Sequence, residues 1–258
     1  MGKLRFQEAV FHIKPSALGY CAQRADSTVI RDYLQGKKTK ADLVEALSHY
    51  EAASAYFHLI AEANNFETSY HPEVVRAYWL GNDLLKKVQH FQFQRMISRV
   101  FAKPGLLSQE EAARRAKRLP VGLLPHHSAH VLGVGPVAGK FDPKSYENPI
   151  LVLDQCLVRW GQVKKLGQSK LSAAYQPLVY KNGVIGLEDR ERSIPLHFDE
   201  TLVGKVIVGD WIAFHWLMTC QVLTANEKED LERFTVANFE VINQHPNYID
   251  DFLVKKRA

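Results

Sequence analysis

The chain has 258 residues, 46% hydrophobic and 24% charged, enough for one large or two small domains with an ordinary globular core. No run approaches the roughly eighteen uninterrupted apolar residues of a membrane span, and the start lacks the apolar stretch of a secretory signal. The net charge is +5, and the three cysteines Cys21, Cys156 and Cys220 form no CxxC pair. That pattern excludes a disulfide framework and a thiolate zinc site, and points to a reducing cytoplasm.

In chain order, Leu18-Gly-Tyr-Cys21 reads as a turn, with Cys21 either a buried thiol or a ligand. Leu43, Leu47, Tyr50 and Phe57 keep one apolar stripe across 41–64, which predicts a helix. Val74, Tyr78, Leu85 and Val88 do the same across 72–102, with Pro72 at the start and Gly81-Asn82 as a kink. Ser108-Gln-Glu-Glu111 is a capping box, so a short helix should run to about Leu119. Its cluster of Arg114, Arg115, Lys117 and Arg118 has no interleaved aromatics and reads as a solvated face, not a nucleic-acid groove.

Pro125-His126-His127-Ser128-Ala129-His130 is the conspicuous constellation of this half. If helical, His126 and His130 share a face at the i, i+4 spacing of zinc ligands; if extended, His126, Ser128 and His130 project to one side. No glutamate stands inside the motif, so it is not the zinc-protease signature. The cluster is a candidate metal set or a group of hydrogen-bonding struts. Asn82, Asp83, His90, Glu51 and Glu62 read as solvated or capping residues before they read as further ligands.

Residues 120–149 are rich in glycine and proline, which places a domain boundary near Pro149: a helical unit over 1–149 and a β unit over 150–258. Ile150–Leu153 reads as a short strand, followed by Cys156–Val163. Asn182-Gly183 marks a hairpin, and Gly209-Asp210 a turn before Trp211–Trp216. Thr224-Ala-Asn-Glu227 is a capping box opening a terminal helix. The fold class expected is α+β: a helical N-terminal domain, then a small OB-like β-barrel with a C-terminal helix.

The ordered set Cys156-Leu-Val-Arg-Trp-Gly-Gln-Val163, Val208-Gly-Asp-Trp-Ile-Ala-Phe-His215 and Gln221–Glu232 resembles the HypC/HupF-type chaperones of nickel–iron hydrogenase maturation. The likeness covers about Cys156 to Phe234. Leu18–Cys21, Tyr78–Leu84 and Pro125–Val131 resemble an uncharacterised bacterial family linked to hydrogenase loci. The first resemblance implies a cytoplasmic chaperone that transiently holds iron carrying cyanide and carbon monoxide. It would take the iron from a HypD-type assembly scaffold and deliver it to the hydrogenase large subunit precursor. It also implies Cys156 and His215 as the iron-binding or partner-contact pair, and no enzymatic turnover, nucleic acid or membrane. In the family the cysteine follows the initiator methionine, whereas Cys156 is internal, so its access depends on how the first half packs.

Two other classes fit the residues. One is a metal-dependent enzyme using His126, His127 and His130, with the barrel as an interaction module. The other is an OB-like nucleic-acid binder using Trp160, Tyr175 and Arg159, disfavoured for want of an aromatic-plus-basic platform.

Overall fold

The computed structural model describes residues 9–135, 142–245 and 248–253. The first half is helical: α1 (Val10–Ala17), α2 (Arg24–Leu34), α3 (Lys40–Ser48), α4 (Glu51–Ala63), α5 (Pro72–Trp79), α6 (His90–Val100) and α7 (Gln109–Arg118). The single helix expected over 41–64 is two, because the chain leaves helical geometry at Tyr50 (φ −87°, ψ 66°). The bend buries the Tyr50 ring, whose hydroxyl donates to the His12 carbonyl at 3.2 Å.

The segment 72–102 is likewise divided into α5, a 3-10 turn (Asp83–Lys87) and α6. Gly81 causes more than a kink. It adopts φ +87°, and a Cβ there would stand 2.3 Å from Phe234 Cδ2, so only glycine lets the later helix approach. The Ser108 hydroxyl accepts from the Glu111 amide at 3.1 Å, so the capping box expected for α7 forms in its hydroxyl half; the Glu111 carboxylate instead takes hydrogen bonds from Arg114 and Arg115. A short α8 (His127–Ala129) then runs into a π turn (His130–Val134), a geometry common at functional sites.

The strand expected at Ile150–Leu153 is instead part of α9 (Pro149–Cys156). Pro149 begins the helix and the Asn148 side chain accepts from Leu151 N at 3.1 Å, and these start signals outweigh the β propensity of a short apolar run. Cys156 therefore closes a helix rather than opening a strand.

Strands β1 (Arg159–Leu166), β2 (Lys170–Tyr175), β5 (Arg192–His197), β6 (Trp211–His215) and β7 (Met218–Leu223) form a ring in the order β1-β2-β5-β7-β6. The β5–β7 seam is parallel and rests on one residue pair, His197 with Met218. Inside the ring lie Val163, Leu171, Ala173, Leu196, Ile212 and Phe214. The predicted hairpin forms as β3 (Leu178–Lys181) and β4 (Val184–Leu187), with Asn182 and Gly183 both at positive φ. It stays outside the ring, because the Asn243 side chain binds the Ile185 amide and carbonyl, each at 2.8 Å.

After β5 comes α10 (Glu200–Val203); after β7 come α11 (Ala225–Asn243), opened by the predicted Thr224 capping box, and α12 (Asp250–Leu253). The fold is thus α+β, a helical N-terminal region, a ring-like sheet and a C-terminal helix. One buried cluster draws on both sides of residue 149: Phe11, Tyr56 and Tyr78 share it with Trp160, Cys220 and Phe234. Among the described residues, no helix is long and apolar enough to cross a membrane.

Candidate functional site

Where the helices meet the ring, they enclose a cavity of about 340 Å³. Residues from position 12 to position 216 contribute to its wall, so the whole chain from α1 to the β6–β7 turn is needed to build it. Five imidazoles line it: His12 from α1, His49 at the end of α3, His127 and His130 from the α8 region, and His215 from the end of β6. Cys21 and Cys156 line it as well, one from each half of the chain.

Cys156 is held through its backbone. The carbonyl of Gln155 accepts from Trp216 N at 2.9 Å, and the Cys156 carbonyl lies 2.8 Å from His215 Nε2. Two residues before it, the buried Asp154 receives Tyr175 Oη (3.0 Å) and Leu178 N (3.0 Å) and pairs with the buried Arg159 at 3.3 Å. Arg159 also donates to the Gln176 carbonyl. These bonds fasten the end of α9 to the ring and fix where the Cys156 thiol stands. The thiol is half-buried, and burial pushes its pKa well above the usual range, with Cys21 adding a smaller push the same way.

His215 lies behind Cys156. Its Nδ1 is 2.8 Å from the Phe11 carbonyl and its Nε2 is 2.8 Å from the Cys156 carbonyl, so each ring nitrogen faces a backbone acceptor and the neutral ring donates to one of them. It joins three elements, α1, α9 and β6. Burial lowers its pKa to about 4, with the two carbonyls pulling the other way.

The histidine triplet is split. His126 caps α8, its Nδ1 accepting from Ser128 N at 3.3 Å and standing 2.9 Å from Ser128 Oγ. Asn238 of α11 donates to the same Oγ at 2.9 Å, so His126 belongs to a strut between α8 and α11. His127 points the other way, its ring 4.7 Å from Trp79 and 5.1 Å from His215. His130 packs 5.5 Å from Tyr56, and its ring centre is 6.4 Å from that of His127. The reason is local: His126 is the extended N-cap of α8 (φ −86°, ψ 161°), so its side chain turns back on Ser128, whereas His130 is already helical (φ −61°, ψ −49°). Among the described residues, no three His, Cys, Asp or Glu side chains converge to hold a metal ion.

The wall is aromatic and uncharged at depth. Desolvation lowers the pKa values of His12 and His126 to about 3 and of His130 to about 4, and drives that of His127 well below the ordinary value. No lysine or arginine is among the lining residues. The carboxylate of Glu51 at the mouth is matched by Lys103 at 2.8 Å. At the rim, His49 Nδ1 meets the buried Asp26 carboxylate at 2.9 Å.

Cys21 is exposed at this mouth, not buried, after a turn in which Gly19 takes φ +80°. Cys220 lies in the core with its thiol donating to the Met218 carbonyl at 3.2 Å. Sequence reasoning missed His12, Trp79 and Trp216. His12 had one signal, a lone polar ring in the apolar run Val10–Ile13. Trp79 and Trp216 had none beyond their size.

The profile of a family described as a family of unknown function (DUF6390) matches residues 1–248. The chain belongs to the DUF6390 family. The match runs through the helices and the ring alike, and every residue of the cavity wall falls inside the part matched to DUF6390. No curated protein matches the chain. No solved structure matches it either.

Proposed function

We propose that this chain is a non-enzymatic carrier in nickel–iron hydrogenase maturation. It holds an iron–cyanide–carbonyl unit at Cys156 and passes it from a HypD-type scaffold to the large subunit precursor. The observation that carries this reading is the position of Cys156. The cysteine of the HypC-like segment lies on the wall of the cavity, directly ahead of β1, with its carbonyl 2.8 Å from His215 Nε2.

The chemistry of the wall supports the same cargo. A ferrous ion bearing two cyanides and a carbonyl enters without net charge and takes one negative charge when the thiolate binds, and the cavity wall has no lysine or arginine. A thiolate is a soft, strongly donating ligand for low-spin iron. Burial keeps Cys156 protonated while the cavity is empty, so loading releases its proton and holding is coupled to pH. The iron here is cargo, not a resident cofactor.

The test is anaerobic co-purification with the assembly scaffold and large subunit precursor, followed by infrared spectroscopy in the cyanide and carbonyl stretching region. Bands present in the wild type and lost in Cys156→Ala are expected. Absence of both iron and partners from the wild-type protein would sink the proposal.

A further inference from the structure

We propose that Cys21 and Cys156 act as a two-thiol clamp, closing from the two halves of the chain on a soft metal centre that brings its other ligands with it. The inference rests on the carrier reading for the identity of the cargo, but its geometry stands apart from it. Both residues line the same cavity. Cys156 packs in a small cluster around Val152 and Trp216 that also contains Leu18 and Tyr20, and Cys21 is the next residue along. The Tyr20 ring centre lies 4.7 Å from that of Trp216, which pins the Cys21 turn against the segment carrying Cys156.

The supply of ligands defines the guest. A bare zinc or cobalt ion seeks about four protein donors. Among the described residues no set of even three converges. Two thiols suit a centre whose remaining positions are already filled. Behind them stand His12 and His127, 2% and 4% exposed, each with a ring nitrogen that has no hydrogen-bond partner. Such nitrogens suit the outer atoms of a carried ligand better than a second metal bond. The binding step balances simply: a divalent centre takes two thiolates, two protons leave, and no electrons move.

Phenylarsine oxide is the matching probe. Its arsenic(III) carries one phenyl group and condenses with two thiols, losing one water. Binding is followed by tryptophan fluorescence, since Trp216 lines the cavity. One arsenical should bind per chain, and Cys21→Ser and Cys156→Ser should each weaken it roughly a hundredfold, the cost of losing an intramolecular second site. Cys220→Ser should leave it unchanged. Cys21 is exposed, so its serine variant keeps the fold.

Arsenical binding that survives Cys21→Ser, or fails in the wild type, overturns the clamp. So does tight binding of bare cobalt(II) with a thiolate charge-transfer band. The two readings separate cleanly. A clamp without any iron–cyanide bands removes the hydrogenase cargo and leaves the clamp. Iron–cyanide bands that persist in Cys21→Ser remove the clamp and leave the cargo.

Discussion

The imidazole of His215 bridges two backbone carbonyls, Phe11 O and Cys156 O, each 2.8 Å away. A neutral imidazole has one N–H, so it donates to one carbonyl and leaves the other facing a lone pair. Replacing the ring by phenylalanine strips the remaining bond from a fully buried site. His215→Phe should destabilise the chain by about 1–3 kcal/mol, measured by urea unfolding. It should also speed alkylation of Cys156, mapped by mass spectrometry, because the backbone that holds the thiol loosens. Unchanged stability and unchanged alkylation would remove His215 from the positioning role.

Acid should unfold this protein early. His12, His126, His127, His130 and His215 all have pKa values lowered by burial. A histidine depressed in the fold stays neutral there, while the unfolded chain takes up its proton below about pH 6.5. Stability is therefore full above that value and falls as pH drops towards about 4 to about 3, where the folded groups themselves titrate. By pH 5 each of His12, His126, His130 and His215 costs about 2 kcal/mol, His127 pulls the same way, and together they rival the whole stability of a domain. Urea midpoints at pH 7.5, 6 and 5 should fall steeply. A flat series would show that these imidazoles are protonated in the fold.

The thiols should react in a fixed order. Cys21 is exposed and should modify first. Cys156 is half-buried with a raised pKa and should follow slowly; Cys220, buried and also raised, should wait for unfolding. Timed iodoacetamide labelling with peptide mapping reads this directly. Equal rates for Cys21 and Cys156 would mean that the cavity stands open in solution.

Asp154→Ala should be among the most damaging single changes. It strands the buried guanidinium of Arg159 and deprives Tyr175 and Leu178 of their acceptor. Breaking one side of such a pair costs about 3–5 kcal/mol, whereas Asp154→Leu with Arg159→Met should recover much of the loss. Thermal melts of the single and double variants decide it. A single variant as stable as the wild type would show that the pair does not fasten α9.

Local signals were legible where a side chain acts on its own backbone. The caps at Ser108 and Thr224, the Asn182-Gly183 hairpin and the Gly209-Asp210 turn all stand where the sequence puts them. Ile150–Leu153 was misread because four apolar residues have no period of their own, and the deciding cap lay in Asn148 and Pro149. The β3–β4 hairpin was legible as a hairpin, but its place outside the ring depends on Asn243, some sixty residues later. In the cavity, Cys156 and His215 were legible only through resemblance. Their junction with Phe11 joins positions 204 residues apart, and no local pattern encodes such a contact.

That separation has a consequence for biosynthesis. The bond from Phe11 to His215 closes a loop of nearly the whole chain, and a contact of such high order forms late. A growing polypeptide carries Cys21 long before it carries Cys156, and neither stands beside a cavity until β6 has been made. A nascent or truncated chain therefore has the thiols without the pocket, whose wall is complete only once the chain has been made through position 216.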